Sequence, residues 1–320
     1  MDRVCPLFSG SPGGRASTRS GNYIGLGAAA PDIDYRKLSP LAPTLAGDLA
    51  FRQFCIPRFS DYRTSDHSVL VNRARYHVRH AVFQRISTNV GEVATYELLP
   101  DNQTVRGSIL IVHGWTSEAS FMMALAEPLR RRGFRVILSD FPAHGRSRGE
   151  QTKLVECAHS LVEVADRLGP FEGVVAHSMG ALAALMAGAG ERPLPHPVGF
   201  LRYCLIAAPN KFSEVTGRFA QSLGISSAGR RQFELHLERV AHQPIGDFRG
   251  DRFLKIIDRP TLLIHAHNDH EVPFHNSEEL AKAITQVKLV PFDAVGHRKI
   301  LYAPPVVRLV VSFLLEGANA

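Results

Sequence analysis

The stretch Val174-Val175-Ala176-His177-Ser178-Met179-Gly180-Ala181-Leu182-Ala183 decides how this chain folds. An apolar strand runs into a serine, and a helix of small residues follows at once. A strand-to-helix turn that tight has no room for large side chains two residues before or after the serine. Ala176 and Gly180 occupy those two positions. Such a turn aims a serine hydroxyl out of the end of a sheet. It also leaves the Met179 N–H, at the start of the new helix, facing the place where charge would develop on a substrate oxygen. The usual pattern is G-x-S-x-G, and here Ala176 stands for the first glycine. The pattern is short enough to arise by chance, so its meaning depends on what surrounds it.

Outward from this turn, short apolar runs alternate with helical periods. Ser108–Val112, Arg135–Leu138, Tyr203–Ala207, Thr261–Ile264 and Val287–Val290 read as buried strands. Phe121–Leu129 and Leu154–Leu168 carry helical spacing. Alternation of this kind predicts an α/β fold: a mostly parallel central sheet covered by helices on both faces, with functional groups at the carboxyl ends of the strands. Val78–Ser87 and Val93–Leu99 predict an antiparallel hairpin that opens the sheet. Residues 1–40, rich in Gly, Ser, Pro and Arg, read as a flexible tail, and 41–77 as a helical extension broken at Pro57. The core is then expected over 78–209 and 259–320. The amphipathic segment 210–258 interrupts the rhythm and is expected to form a small helical cap.

Four loops beyond the serine turn add chemistry. Gly114 in Ile111-Val112-His113-Gly114-Trp115 lets the chain turn sharply, so that the Trp115 N–H can serve as a second donor to an oxyanion. His113, Gly114 and His177 are candidates to line the substrate site. Asp140 and His144, in Asp140-Phe141-Pro142-Ala143-His144-Gly145-Arg146-Ser147-Arg148-Gly149, read as residues that shape their own loop. Asp269, in the loop after Thr261–Ile264, can hold an imidazole in one tautomer, and Gly296 frees His297 to supply that imidazole. Glu271 and Asp293 are competing acids. Met122 and Met123 read as packing residues. The order Ser178, Asp269, His297, each after its own strand, turns separate weak signals into one candidate catalytic set.

With these residues in place, the chain resembles the α/β-hydrolase superfamily. H-G-W, D-F-P-A-H-G-R-S-R-G, A-H-S-M-G, H-A-H-N-D-H-E-V-P and G-H-R-K fall in that family's order over roughly Val93–Leu315. The tract His144-Gly145-Arg146-Ser147-x-Gly149 is similar to the serine aminopeptidase/monoacylglycerol-lipase-like branch. The resemblance implies Ser178 as nucleophile, Asp269 as acid and His297 as base, with Trp115 and Met179 as backbone oxyanion donors. It implies hydrolysis of carboxylic esters, acyl or lipid-like, through an acyl-enzyme. Thioesterase or acyltransferase chemistry would use the same set. No metal or organic cofactor is required. Ala143, Ala176 and Ala266 depart from glycines common in the family, and none of them removes a chemical group.

Composition sets the outer limits. The chain has 320 residues, 45% hydrophobic and 21% charged, which fits a globular protein with a sizeable core. Its net charge of +7 is dispersed with no run of like charges, so no nucleic-acid partner is expected, while transient contact with lipid surfaces stays open. Cys5, Cys55, Cys157 and Cys204 are too far apart in sequence for a zinc or C-x-x-C motif; free thiols and a cytoplasmic location are the expectation, with Cys157 inert on its helix. Met1–Ala30 has no apolar core of a signal peptide, and no apolar run is long enough to span a bilayer. Two rival readings stand beside the hydrolase. One is a non-catalytic binding module on the same scaffold. The other is a zinc hydrolase using the H-x-H-x-D-H run at 265–270, but that run sits too near the end of the chain and leaves the serine turn unexplained.

Overall fold

The computed structural model describes residues 33–57, 65–101 and 105–316. Three helices come first: α1 (Tyr35–Leu41), α2 (Pro43–Cys55) and α3 (Ser65–Val78). The strands are β1 (Val82–Thr88), β2 (Gly91–Leu98), β3 (Gly107–Val112), β4 (Phe134–Ser139), β5 (Gly173–His177), β6 (Arg202–Ile206), β7 (Thr261–Ala266) and β8 (Val287–Phe292). Among them run α4 (Met123–Arg131), α5 (Leu154–Leu168), α6 (Met179–Ala189), α7 (Phe212–Leu223), α8 (Ser227–Ala241), α9 (Gly250–Ile257) and α10 (His275–Ala281). After β8 come α11 (Gly296–Lys299) and α12 (Pro304–Leu315).

The strands form one sheet of eight in the order β1-β2-β4-β3-β5-β6-β7-β8. β1 and β2 are antiparallel to their neighbours, and from β4 onward every pairing is parallel. The mostly parallel sheet of the expected α/β fold is therefore present. Burial explains the continuous apolar runs. All residues of β5 and β7 are buried, whereas the edge strands β1 and β8 are mostly half-exposed. Successive side chains point to opposite faces. Leu110, Val112, Val174 and Ala176 join the core under α5 and α6; Ile109, Ile111 and Val175 join the one under α4 and α12.

The strand order reverses at β3, which has β4 on one side and β5 on the other. A crevice opens at the carboxyl ends of the strands where such a reversal occurs. Val112 pairs with Ala176 there, His177 with Ile206, and Ile206 with Ile264. The loops carrying Gly114, Ser178 and Asp269 thus leave the sheet at one rim.

Three boundaries differ from the expectation. The tail does not extend to residue 40: a helix begins at Tyr35, where Asp34 caps it by accepting the Lys37 N–H at 3.4 Å. Seven residues are too few to show a period, and α1 is fastened from outside, Ser39 Oγ lying 2.7 Å from Ser226 Oγ. Residues 1–32 of the tail, Cys5 among them, lie outside the described residues. The hairpin opens at Val82 rather than 78, because Val78 ends α3 and is buried against the α4 face. Finally, 210–258 is not one unit. Lys211 and Arg249 pair as an antiparallel bridge, and the Phe212 N–H donates to the Phe248 carbonyl at 3.0 Å, so 212–248 leaves and re-enters at one point. α9 falls after that point and packs against α6 as a sheet-covering helix: a Cβ on Gly250 would lie 2.8 Å from Leu280 Cδ2 and 3.2 Å from Leu185 Cδ1. No helix of the described residues is long and apolar enough to cross a membrane.

Candidate active site

Ser178 sits between β5 and α6 with φ 53° and ψ −127°, a left-handed backbone that a serine adopts only at a cost. Its N–H donates to the Ile206 carbonyl at 2.9 Å, which ties the strained turn to β6. The requirement for a small residue at 180 is physical: a Cβ there would lie 2.1 Å from the His113 carbonyl oxygen. Gly180→Ala is expected to cost about 2–3 kcal/mol of stability, read as a lower urea midpoint. A midpoint equal to wild type would show that the two loops are free to part.

Ser178 Oγ lies 2.9 Å from His297 Nε2, and His297 Nδ1 lies 2.7 Å from Asp269 Oδ2. A carboxylate only accepts, so Nδ1 carries the imidazole proton and Nε2 presents its lone pair to the serine hydroxyl. The Asp269 side chain is fully buried. Its Oδ1 accepts the Glu271 and Val272 N–H groups, each at 2.9 Å, and Oδ2 is also 3.2 Å from His265 Nε2. Burial alone would raise its pKa. The bonds from His265, His297 and the Val272 amide outweigh burial and hold the carboxyl well below the usual carboxylate range.

Two ties fix His297 that its sequence position did not reveal. His177 Nε2–H donates to the His297 carbonyl at 2.9 Å, with the two rings 4.7 Å apart. Asn268 Oδ1 accepts the Gly296 N–H at 3.1 Å, so the β7 loop holds the β8 loop directly. The residue before an elbow serine and the one before the acid carry no motif of their own, so no pattern signals these bonds.

A cavity of about 70 Å³ opens on Ser178 and His297. Trp115, Thr116 and Met179 line it on the sheet side, Val272 and Pro273 on the β7 loop, and Val215 and Arg218 on α7. His113, Gly114 and His177 do not line it, which corrects their reading as substrate contacts. His113 is fully buried, and its Nε2 accepts the Phe141 N–H at 3.1 Å. Burial holds its pKa down at about 4, so it is neutral there. His177 faces His297 instead. Gly114 serves close approach, since a Cβ on it would stand 2.9 Å from Ser178 Cβ. Met179 is the first residue of α6, so its N–H has no carbonyl within the helix to bond.

The remaining singled-out residues sort by contact. Asp140 accepts from Tyr96 Oη at 2.9 Å, the Ala119 N–H at 2.7 Å and the Arg146 N–H at 2.9 Å, which makes it the organiser of its own loop. Burial pushes its carboxyl up to about 6. His144 is buried in the same loop, its Nδ1 at 2.9 Å from the Pro142 carbonyl. Glu271 comes within 3.9 Å of His297, but at Nε2 rather than Nδ1, and is held by Arg298 at 3.0 Å. Asp293 pairs with His267 on the surface. Burial pushes the Cys157 thiol up to about 12, so it is no nucleophile at neutral pH. Met122 and Met123 are buried in the core. Of the basic residues on 210–258, Arg218 reaches the cavity, whereas Arg230 and Arg231 pair with Glu234 and Glu238.

The H-x-H-x-D-H run does not converge. His265 is buried between Ser277 Oγ at 2.6 Å and the Val272 carbonyl at 2.8 Å, while His267 and His270 are exposed. Among the described residues, no group of three or more His, Cys, Asp or Glu side chains is placed to hold a metal ion.

Residues 109–309 match the alpha/beta hydrolase family, well over half of the 320. The chain belongs to that family and is a hydrolase by class. The chain has no match among the curated proteins. Its fold is shared by Est1E from Butyrivibrio proteoclasticus at 20% identity, covering 74% of this chain and 99% of that one with a TM-score of 0.58. It is shared by the Pyrococcus furiosus esterase Pf2001 at 22% identity, covering 74% and 92% with a TM-score of 0.55. A proline iminopeptidase of Mycobacterium smegmatis also shares it, at 16% identity over 74% and 99% with a TM-score of 0.56. At such identities the likeness is one of architecture, and the substrate has to be argued from the site.

Proposed function

We propose that this hydrolase cleaves carboxylic esters, with Ser178 as nucleophile, His297 as general base and Asp269 as the acid that orients it. The observation that carries the reading is the continuous row from Ser178 Oγ through His297 to Asp269, with links of 2.9 and 2.7 Å, at the wall of a cavity. A serine hydroxyl is weakly nucleophilic until a base accepts its proton. His297 Nε2 takes that proton as Oγ attacks the carbonyl carbon. The oxygen of the tetrahedral intermediate is stabilised by the Trp115 and Met179 N–H groups; loss of one such donor costs about 3–4 kcal/mol of barrier. Met179 adds the positive end of the α6 dipole. His297 then protonates the departing alcohol, leaving an acyl group on Ser178. It next draws a proton from water, which attacks the ester and frees the serine. Residues 212–248 act as the cap in this reading, and α7 carries the cap's contribution to the cavity.

The test is a panel of p-nitrophenyl esters together with intact-mass measurement after treatment with a fluorophosphonate. One adduct on Ser178 and steady turnover are expected. No adduct and no turnover on any ester would point to the binding module instead.

A further inference from the structure

We propose that the N-terminal helix α2 completes the cavity at Ser178, and that Phe54 on it limits the length of the acyl chain the enzyme accepts. The proposal rests on the ester-hydrolase reading for its substrate, though not for its geometry. Phe54 lines the same cavity as Ser178 and is 5% exposed. Its ring stacks on Trp115 at 5.9 Å with 16° between planes, and meets Phe219 at 5.0 Å and Phe233 at 5.4 Å edge-on. A ring gripped on several sides by other rings cannot swing away to admit a longer chain.

The helix that carries it is equally fixed. α2 crosses α8 at backbone contact: a Cβ on Gly47 would lie 2.5 Å from Gln232 Cβ and 2.8 Å from the Phe233 nitrogen. Asp48 accepts from His236 on α8, and the Cys55 carbonyl accepts the Thr152 N–H at 2.8 Å, which pins the end of α2 beside Phe54. Phe54 also lies outside residues 109–309, the stretch carrying the family match. With Phe54 in place the cavity ends at its ring, which stands between the cavity and Phe219 and Phe233. Shortening Phe54 opens it toward Phe219 and Phe233, an apolar direction that a longer alkyl chain can follow.

The experiment compares full-length wild type, Phe54→Ala, Phe54→Leu and Phe253→Leu on p-nitrophenyl acetate through decanoate. Phe253 is fully buried on α9 and does not line the cavity, so it controls for a general loss of packing. Wild type is expected to favour the shortest esters. The octanoate-to-acetate ratio of kcat/KM is expected to rise about tenfold or more in Phe54→Ala, by less in Phe54→Leu, and to stay unchanged in Phe253→Leu. Alanine in a folded aromatic cluster can unsettle the chain; the leucine variant keeps most of the volume and the prediction.

A second readout does not need turnover: calorimetric binding of saturated fatty acids of rising length to Ser178→Ala, with and without Phe54→Leu. A chain-length limit that moves in binding while no ester is cleaved upholds Phe54 and removes the ester-hydrolase reading. Esters cleaved with an unmoved limit overturn Phe54 alone. Absence of both cleavage and fatty-acid binding overturns both.

Discussion

Ser178→Ala is expected to lower kcat/KM for a p-nitrophenyl ester by about 10⁵-fold or more, while the melting temperature changes little. The hydroxyl forms the new bond to the substrate in the proposed mechanism, and no neighbouring group replaces it. Cys157 and Cys204 are buried, and burial holds their thiols protonated. The fold has small reason to object. Residue 178 has φ 53° whichever side chain it carries, and the loss is one hydrogen bond to His297, about 1 kcal/mol. Residual catalysis should come only from the two N–H donors and from binding. A rate within tenfold of wild type would falsify the assignment of Ser178 as nucleophile.

Asp269→Asn is the second large effect, with kcat/KM expected to fall about 10⁴-fold. Every contact of this carboxylate is one in which it accepts. Oδ1 takes two backbone N–H groups, so the amide oxygen of asparagine settles there. The amide NH₂ then faces His297 Nδ1 at the place of Oδ2. Two donors cannot face each other, so His297 moves its proton to Nε2 and loses the lone pair that the serine hydroxyl needs. Glu271 does not rescue this, because it approaches the Nε2 side and is paired with Arg298. The check is a kinetic comparison together with nitrogen NMR of the His297 ring. The proposal fails if the variant keeps wild-type rates, or if the ring keeps its proton on Nδ1.

The parts legible in the sequence share one cause. Strands buried on both faces must be apolar throughout, so β3, β5 and β7 announce themselves as short apolar runs. The turn at Ser178 must be small on both sides, because Gly180 packs on a carbonyl 2.1 Å from where its Cβ would be. Ser178 and Asp269 stood out because they follow two such strands, β5 and β7, whereas His297 follows the half-exposed edge strand β8 and was picked out only by its loop glycine and its place in the order. His113 and His177 were misread for a reason of the same kind. Each lies next to a motif residue, but a strand end alternates its side chains, and these two point into the protein. α1 was missed because seven residues show no period and because other helices hold it, α2 through Gln53, which accepts from Tyr35 Oη at 2.9 Å, and α8 through Ser226 at its N-terminus.

By itself, then, the order of residues determined a mostly parallel sheet and a tight strand-to-helix turn at Ser178, and it offered candidate partners for that serine among several acids and histidines. Local sterics and burial act on neighbours along the chain, so they leave a pattern that can be read. Only the tertiary structure decided that His177 and Asn268 steady His297, that 212–248 is a closed excursion, and that Phe54 walls the cavity. Those outcomes depend on contacts between segments tens to more than a hundred residues apart, whose packing leaves no period and no spacing in the sequence.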